Sequence, residues 1–268
     1  MEEARGAAFF DLDKTLMEGA SGLYFVRAAY RSGLVSRSRL IRDVYENLRF
    51  RVAGATDAQA EQVKERVSGA MVGLPRRRLA RLTPDVLAGV LPAIYPQMLE
   101  EAWSHQDAGR PVFIVTAASA DLASLLAAVL TFDGGIGTPY EVVDDHYTGR
   151  LEGPFNYGEG KAVAIRALAA ERGLDLAASY AYSDSASDLP MMRVVGHPVA
   201  VNPDTPLLRV AREESWQVMR FDKLGRRLKI AGAVGGVSAL GAGGGYLAGR
   251  LRSYRSAGRP RRDRLGRP

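Results

Sequence analysis

The chain has 268 residues, of which 47% are hydrophobic, so it is long enough for one sizeable core with an inserted or appended module. It contains no cysteine, which excludes disulfides, thiolate zinc sites and a cysteine nucleophile. Its three histidines are scattered and lack metal-ligand spacing, so neither a histidine-based zinc site nor a Ser-His-Asp triad is expected. Any covalent catalysis would therefore use an oxygen nucleophile of Asp, Ser or Thr.

The net charge of +6 comes from the end of the chain. Residues 250–268 contain eight Arg and one Asp, a local charge of +7, which leaves a charge of −1 for residues 1–249. The high isoelectric point therefore does not describe the rest of the molecule, and no nucleic-acid partner is expected. The first residues lack the basic and apolar regions of a signal peptide, so we expect a cytoplasmic protein.

The order of apolar runs predicts an α/β fold. Residues 21–99 show helical periodicity and no convincing strand, whereas strands and helices alternate afterwards. Such alternation predicts a doubly wound, Rossmann-like, mostly parallel sheet whose ligands bind beyond the carboxyl ends of the strands. The predicted elements are a strand at 7–13, a strand at 112–116, a helix at 121–130, a hairpin at 142–151 with its turn near Thr148 and Gly149, a helix at 160–172 ended by Gly173, and strands at 180–183, 198–201 and 217–219.

The same pattern divides the chain into four parts. We predict a Rossmann-like catalytic core from residues 1–18 and 97–222, with residues 19–96 inserted as a helical cap. Residues 223–249 form a glycine-rich hydrophobic segment, and residues 250–268 form a basic, disordered tail.

The segment 230–248 is a candidate membrane helix. It has nineteen residues without a charge, enough to span a bilayer of about 30 Å. Seven of these residues are glycine, partly at the small-xxx-small spacing of packed membrane helices, although a flexible glycine-rich linker is the alternative. We expect membrane contact through this segment, with the Arg-rich tail on anionic lipid.

The clearest chemical signal is a pair of carboxylates directly after the first predicted strand. Asp11 and Asp13 are two residues apart, so they begin on the same face of the strand. Two negative charges at such a short distance repel each other, and a bound cation can offset this repulsion. A hard cation such as Mg²⁺ prefers oxygen ligands. An ordinary pair of solvated acids is the alternative.

Three further motifs supply groups that suit a phosphate and a metal ion. The hydroxyl of Thr116 follows a strand and precedes small residues and a helix, an arrangement that suits an anion or simply caps the helix. Lys161 opens a helix, where a cation is unfavourable unless it faces an anion; a solvated surface lysine is the alternative. Asp184 and Asp188 follow another strand at a spacing that brings both to one side of a helical turn. Together the motifs outline a magnesium-and-phosphate site.

In order and spacing these motifs resemble the four motifs of the haloacid dehalogenase superfamily, in its phosphoserine-phosphatase-like branch (subfamily IB) with a helical cap. The resemblance implies that Asp11 attacks phosphorus to form an aspartyl-phosphate and that Asp13 acts as general acid and then general base. It assigns phosphate binding to Thr116, Ala117 and Lys161, Mg²⁺ binding to Asp11, the Asp13 carbonyl and Asp184, and supporting roles to Thr15 and Asp188.

The predicted function is a Mg²⁺-dependent phosphomonoester hydrolase that acts on a small phosphorylated metabolite, either phosphoserine-like or lipid-like. Phosphoserine phosphatases of this family carry a glutamate nine residues after the nucleophile, where this chain has Ala20, and Ser183 replaces the usual glycine before Asp184. Two alternatives remain, a phosphotransferase such as a mutase and a non-catalytic, membrane-tethered binding module.

Overall fold

The computed structural model describes residues 5–34, 61, 64, 65, 68, 69 and 71–221. The chain divides into two compact units, 1–220 and 221–268, so the described structure is essentially the first unit. The candidate membrane segment and the basic tail lie outside the described residues and stay predictions, as does the helical periodicity around residues 40–48. None of the helices in the described part is long and apolar enough to cross a membrane.

Within the described residues, eight strands form one sheet and one hairpin. They are β1 (Ala8–Asp11), β2 (Val112–Ser119), β3 (Gly134–Thr138), β4 (Tyr140–Val143), β5 (His146–Leu151), β6 (Tyr180–Ser183), β7 (His197–Val201) and β8 (Gln217–Met219). The sheet has the order β3-β2-β1-β6-β7-β8 with every neighbouring pair parallel, and β4 and β5 form an antiparallel hairpin. The predicted doubly wound parallel sheet is confirmed.

The helices connect these strands. Between β1 and β2 lie α1 (Ser21–Arg31), α2 (Arg76–Ala80), α3 (Thr83–Val90), a 3₁₀ turn (Leu91–Ala93) and α4 (Pro96–Asp107). The remaining elements are α5 (Ala120–Val129), α6 (Glu159–Arg172), a 3₁₀ turn (Ala186–Asp188), α7 (Leu189–Arg193) and α8 (Thr205–Glu213). The described residues between β1 and β2 contain helices, as predicted, and the exact boundaries of cap and core remain predictions.

The central strand β1 is buried on both faces, as a middle strand of a parallel sheet must be. Successive side chains of a strand point to opposite faces, so Phe9 and Phe10 serve two different layers. Phe9 packs on Phe113 with ring centroids 5.6 Å apart, and Phe10 stacks on Tyr182 at 4.3 Å. These four aromatic rings fix β1 between β2 and β6, its neighbours in the sheet.

Strand β3 was not predicted, because three of its five residues are glycine and glycine is depleted in strands. The reason lies in the packing of α5 against this strand. A Cβ atom on Gly137 would lie 2.6 Å from the carbonyl oxygen of Ser119, and one on Gly135 would collide with the main chain of Ala123. Glycine therefore allows the helix and the strand to approach closely.

The predicted position of the hairpin turn was wrong. The turn lies at Asp144 and Asp145, which have φ values of 49° and 63°, whereas Thr148 and Gly149 lie inside β5. Positive φ at both central residues is typical of a type I′ hairpin turn, and aspartate tolerates that conformation better than most residues.

Candidate active site

The sheet order brings three predicted motifs to one edge. Strands β2, β1 and β6 are neighbours, and the registers pair Asp11 with Val115 and Phe10 with Tyr182. Thr116, Asp11 and Asp184 therefore lie at the carboxyl ends of adjacent strands. The site is at the edge where ligands of doubly wound sheets bind.

Lys161 forms the centre of the cluster. It lies in the first turn of α6, is almost fully buried, and its Nζ is 2.6 Å from Asp11 Oδ1 and 2.8 Å from Asp188 Oδ2. Gly160, which precedes it, packs so closely on the carbonyl of Phe155 that a Cβ atom would collide. The two carboxylates offset the unfavourable position of a cation at a helix N-terminus.

Asp188 has a second hydrogen bond that the sequence analysis did not predict. The hydroxyl of Ser183, at the end of β6, donates to Asp188 Oδ2 at 2.7 Å. Ser183 is fully buried, so its hydroxyl needs this acceptor. Ser183 therefore supports the orientation of Asp188.

The two carboxylates of the first motif have different partners. Asp11 pairs with Lys161, whereas Asp13 Oδ1 accepts a hydrogen bond of 2.7 Å from the main-chain N–H of Ser21. Ser21 is the first residue of α1, whose N-cap position, Ala20, offers no side-chain hydrogen bond. The start of α1 thus holds Asp13.

Asp184 lies beside a second cation, Lys14. Lys14 Nζ is 3.6 Å from Asp184 Oδ2, and Lys14 itself has a φ of 63° in the loop after β1. The main-chain N–H of Asp204 donates to the Asp184 carbonyl at 2.8 Å, while the Asp204 carboxylate accepts from the N–H of Ala186 at 3.1 Å. Asp204, which was not predicted, holds the loop that carries Asp184.

Burial shapes the protonation of this cluster. It raises the pKa of Asp11 to about 8, helped by the nearby charges of Asp188 and Asp184, although Lys161 opposes the rise. Burial likewise raises the pKa of Asp184 to about 6 and raises that of Asp13. Burial alone would lower the pKa of Lys161, but the attraction of Asp11 and Asp188 raises it, so this side chain stays an ammonium group.

The predicted phosphate-binding loop lies at the end of β2. Thr116 is buried, and its Oγ1 accepts a hydrogen bond of 3.2 Å from the N–H of Ala118. Its carbonyl oxygen accepts from the side-chain amide of Asn156 at 2.7 Å. Thr15 is fully buried in the loop after β1, and within the described part of the chain its hydroxyl has no hydrogen-bond partner. The predicted site residues thus lie at the carboxyl ends of β1 and β2, in the segments that follow β1 and β6, or in the first turn of α6.

The donor set suits a divalent cation bound by oxygen. Among residues 5–34 and 71–221, no three His, Asp or Glu side chains form a metal-binding group. The predicted set requires only two side chains, Asp11 and Asp184, with a main-chain carbonyl as the third ligand. The site holds four carboxyl groups and two ammonium groups, those of Lys14 and Lys161. A hard divalent cation would stabilise the ionised form of the carboxyl groups whose pKa burial raises.

Besides the Ser183 hydroxyl, sequence reasoning missed the contributions of Ser21, Asp204 and Asn156. Ser21 acts through its main-chain N–H, which almost every residue type has, so the sequence could not single it out. The bonds of Asn156 span 40 and 20 residues along the chain, so no local spacing could reveal them. Asp204 alone had a usable signal, because it lies three residues after the predicted strand at 198–201 and polar side chains beyond a parallel strand lie at this edge of the sheet.

Comparison with known proteins assigns the family. The sequence profile of haloacid dehalogenase-like hydrolases matches residues 8–193, more than half of the chain. The chain belongs to the haloacid dehalogenase-like hydrolase family. All four motifs described above lie within the matched residues.

Three relatives of this haloacid dehalogenase-like hydrolase show its branch. A phosphoserine phosphatase of Mycobacterium tuberculosis is 36% identical over 244 residues, which cover 90% of this chain and 79% of the relative. A histidinol-phosphatase of Neisseria meningitidis is 30% identical over 222 residues, 81% of this chain and 99% of the relative. A crystal structure of a protein of unknown function from Bordetella pertussis is 30% identical with a TM-score of 0.71, covering 81% of this chain and 99% of that one. The predicted phosphoserine-phosphatase-like branch and the predicted enzyme class, a phosphatase, are confirmed.

Proposed function

We propose that this phosphatase is a Mg²⁺-dependent phosphomonoester hydrolase that acts through an aspartyl-phosphate on Asp11. The observation that carries the proposal is the unequal environment of the two carboxylates after β1. Asp11 pairs with the Lys161 ammonium, whereas Asp13 is held by a neutral N–H of Ser21. A pair of acids with separate partners can divide the roles of nucleophile and proton donor.

Hydrolysis then takes two steps. A carboxylate oxygen of Asp11 attacks phosphorus, the bond from phosphorus to the ester oxygen breaks, and Asp13 gives its proton to that oxygen. In the second step the Asp13 carboxylate takes a proton from water, the water oxygen attacks phosphorus, and the bond to Asp11 breaks to release phosphate. The raised pKa of Asp13 suits a group that must start protonated.

Lys161, Thr116 and the Ala117 N–H are the proposed ligands of the phosphoryl oxygens. Lys161 already faces Asp11, so its charge lowers the repulsion between an anionic nucleophile and an anionic phosphate. Asp11, the Asp13 carbonyl and Asp184 would hold Mg²⁺, with Asp188 and Thr15 in supporting positions. When bound, the metal ion neutralises charge on the phosphoryl oxygens in both steps.

We propose a small phosphorylated metabolite as the substrate. The names of two relatives give the first compounds to test, phosphoserine and histidinol phosphate, which are both phosphate esters of a 2-amino alcohol. A short-chain lipid phosphate completes the panel, because the sequence also allows a lipid-like substrate.

The test uses the full chain with p-nitrophenyl phosphate. We expect turnover that stops with EDTA and returns with Mg²⁺, and Asp11→Asn should lose at least roughly a thousandfold in kcat while its circular dichroism spectrum stays unchanged. Undiminished turnover by Asp11→Asn would contradict the mechanism. An added alcohol separates hydrolysis from transfer, since phosphate that appears on the alcohol in place of free phosphate would favour a phosphotransferase.

A further inference from the structure

Asn156 is a buried side chain, outside the predicted site, that holds the main chain at the end of β2. The residue is 1% exposed, and its Nδ2 donates to the carbonyl oxygens of Thr116 at 2.7 Å and Ile136 at 2.9 Å. Both partners can only accept hydrogen bonds, so the amide nitrogen has to face them. A single side chain therefore joins β2 and β3.

These bonds lie at an interruption of the strand pairing. The register of β2 and β3 shifts between Val115 and Ser119. Within that stretch the hydroxyl of Thr138 donates to the Ala117 carbonyl at 2.9 Å and accepts from the N–H of Asn156 at 3.3 Å. Side chains thus hold two consecutive carbonyls, those of Thr116 and Ala117, where the ladder is irregular.

Holding these carbonyls also sets the direction of the next N–H groups. A trans peptide is planar, so the carbonyl of Thr116 and the N–H of Ala117 point in opposite directions. With its carbonyl fixed on Asn156, the Ala117 N–H points away from Asn156. The next peptide behaves in the same way, and its N–H, on Ala118, donates to the Thr116 hydroxyl.

We propose that Asn156 is a positioning residue of the phosphate-binding loop. By holding the Thr116 carbonyl, it aims the Ala117 N–H and orients the Thr116 hydroxyl toward the phosphoryl group. Asn156 also anchors the segment that enters α6 and carries Lys161, so one side chain sets the geometry on two sides of the phosphate. The inference rests on the proposed function, since it takes Thr116 and Ala117 as phosphate ligands.

The test is a double-mutant cycle between Asn156→Ala and Thr116→Val in the full chain. Asn156 Oδ1 has no partner among the described residues, so the truncation removes only the two donor contacts of Nδ2. The readout is competitive inhibition of p-nitrophenyl phosphate turnover by inorganic phosphate. We expect each single variant to raise the inhibition constant roughly tenfold and the double variant to raise it by clearly less than the product of the two, because part of the effect of Asn156 passes through the Thr116 hydroxyl.

A matched control removes a buried side chain at the opposite end of the sheet. Ser179 is fully buried and also joins two main-chain groups, accepting from the Ala7 N–H and donating to the Asp175 carbonyl. Ser179→Ala should lower thermal stability about as much as Asn156→Ala without changing the inhibition constant. An equal change in both variants would mean that general loosening of the fold, not positioning, causes the effect.

The remaining outcomes separate the two proposals. An unchanged inhibition constant in Thr116→Val would refute the proposed phosphate site itself. If Thr116→Val raises the inhibition constant as expected, two results would refute only the positioning role. One is a fully additive double variant, and the other is an unchanged inhibition constant in Asn156→Ala. If Asn156→Ala does not fold, Asn156→Ser, which keeps one donor, should show a smaller rise with the same coupling. Failure of both to fold would make the role structural and overturn the inference.

Discussion

Two clusters of largely buried ionisable side chains in this molecule differ in how their charges and hydrogen bonds are balanced. In the active site, Asp11 and Asp188 both pair with Lys161 while Asp184 lies beside Lys14, and burial with mutual repulsion raises the pKa of Asp11 and Asp184. Away from the site lies a second group, the His105 network, formed by Arg110, His105, Tyr182 and Glu101. Its members are joined in one line of hydrogen bonds without like charges in contact.

The His105 network has a single consistent direction of donation. Arg110 Nε can only donate, at 2.7 Å, so His105 Nδ1 must accept and the proton lies on Nε2. Nε2–H then donates to the Tyr182 hydroxyl at 2.7 Å, which donates to Glu101 Oε1 at 2.7 Å. Every group is satisfied inside the protein. The active-site cluster lacks this balance, and its excess of carboxyl groups is the feature that a divalent metal ion can use.

The largest effect is expected from Lys161→Met. This variant leaves Asp11 and Asp188 buried without their cation, which should lower the free energy of unfolding by roughly 3–5 kcal/mol. Turnover of p-nitrophenyl phosphate should fall at least roughly a thousandfold, since the charge that faces the phosphate is lost. Urea denaturation and steady-state kinetics measure the two quantities.

A second variant separates stability from activity. Lys161→Met combined with Asp188→Asn removes one of the two unpaired charges, so it should recover part of the stability and none of the activity. Recovery of activity in this double variant would show that Lys161 only neutralises buried carboxylates and has no role in catalysis.

The two groups should also respond to acid in opposite directions. Burial, with Arg110 adding to it, lowers the pKa of His105 from 6.5 to about 4, so the unfolded chain binds the proton first and stability is lost as the pH falls from about 6.5 to about 4. The pKa of Asp184 rises from 3.8 to about 6, so its contribution to stability is complete below about 3.8 and is lost as the pH rises through about 6. Each effect amounts to about 2 kcal/mol between pH 7 and pH 4.5.

Two variants measured in EDTA reveal these opposite contributions. Relative to the wild type, His105→Gln should become more stable on going from pH 7 to pH 4.5, because the acid-labile group is gone. Asp184→Asn should become less stable over the same interval. The comparison uses the change in the free energy of unfolding between the two pH values, so the pH-independent cost of each substitution cancels. A change of the same sign in both variants would contradict the contrast between the two groups.

A smaller effect is expected from Tyr182→Phe, which interrupts the His105 network in its middle. The ring can keep its stacking on Phe10, but His105 Nε2–H and Glu101 lose their partner. The free energy of unfolding should fall by roughly 1–2 kcal/mol with kcat and KM unchanged. Tyr30→Phe, at an exposed position of α1, is the matched control and should change neither quantity. A loss of kcat in Tyr182→Phe would mean that the network reaches the active site.

The sequence predicts the active site better than the elements around it. An apolar run followed by Asp11 and Asp13 is a local signal, and parallel strands bring such ends together, so the meeting of Asp11, Thr116 and Asp184 follows from topology alone. Strand β3 could not be predicted, since its glycines are explained by the close approach of α5, a tertiary contact. The role of Asn156 was hidden for a similar reason, because its partners are distant along the chain.

The smallest effect should come from an exposed counterpart of the His105 network. Arg76 Nη2 lies 2.7 Å from Asp121 Oδ1, and the Tyr147 hydroxyl donates to Asp121 Oδ2 at 2.7 Å, so arginine, acid and tyrosine are again joined. The side chains of Arg76 and Asp121 are 53% and 49% exposed, and water competes for the same bonds. Arg76→Gln should therefore lower the free energy of unfolding by less than about 1 kcal/mol, and 1 M NaCl should remove most of that loss.

Salt dependence is what distinguishes the two networks. The cost of Tyr182→Phe should be the same at 0.1 M and 1 M NaCl, because the uncharged, fully buried Tyr182 hydroxyl forms no ion pair that salt could screen, whereas the cost of Arg76→Gln should shrink. Urea titrations of the two variants at both salt concentrations give the comparison. If Arg76→Gln lowered the free energy of unfolding as much as Tyr182→Phe, and by the same amount at both salt concentrations, the geometry of the hydrogen bonds would matter more than their burial. Otherwise burial decides how strongly a polar network holds this fold, and the active-site cluster, which is buried and charge-unbalanced, is the part that gives up stability for function.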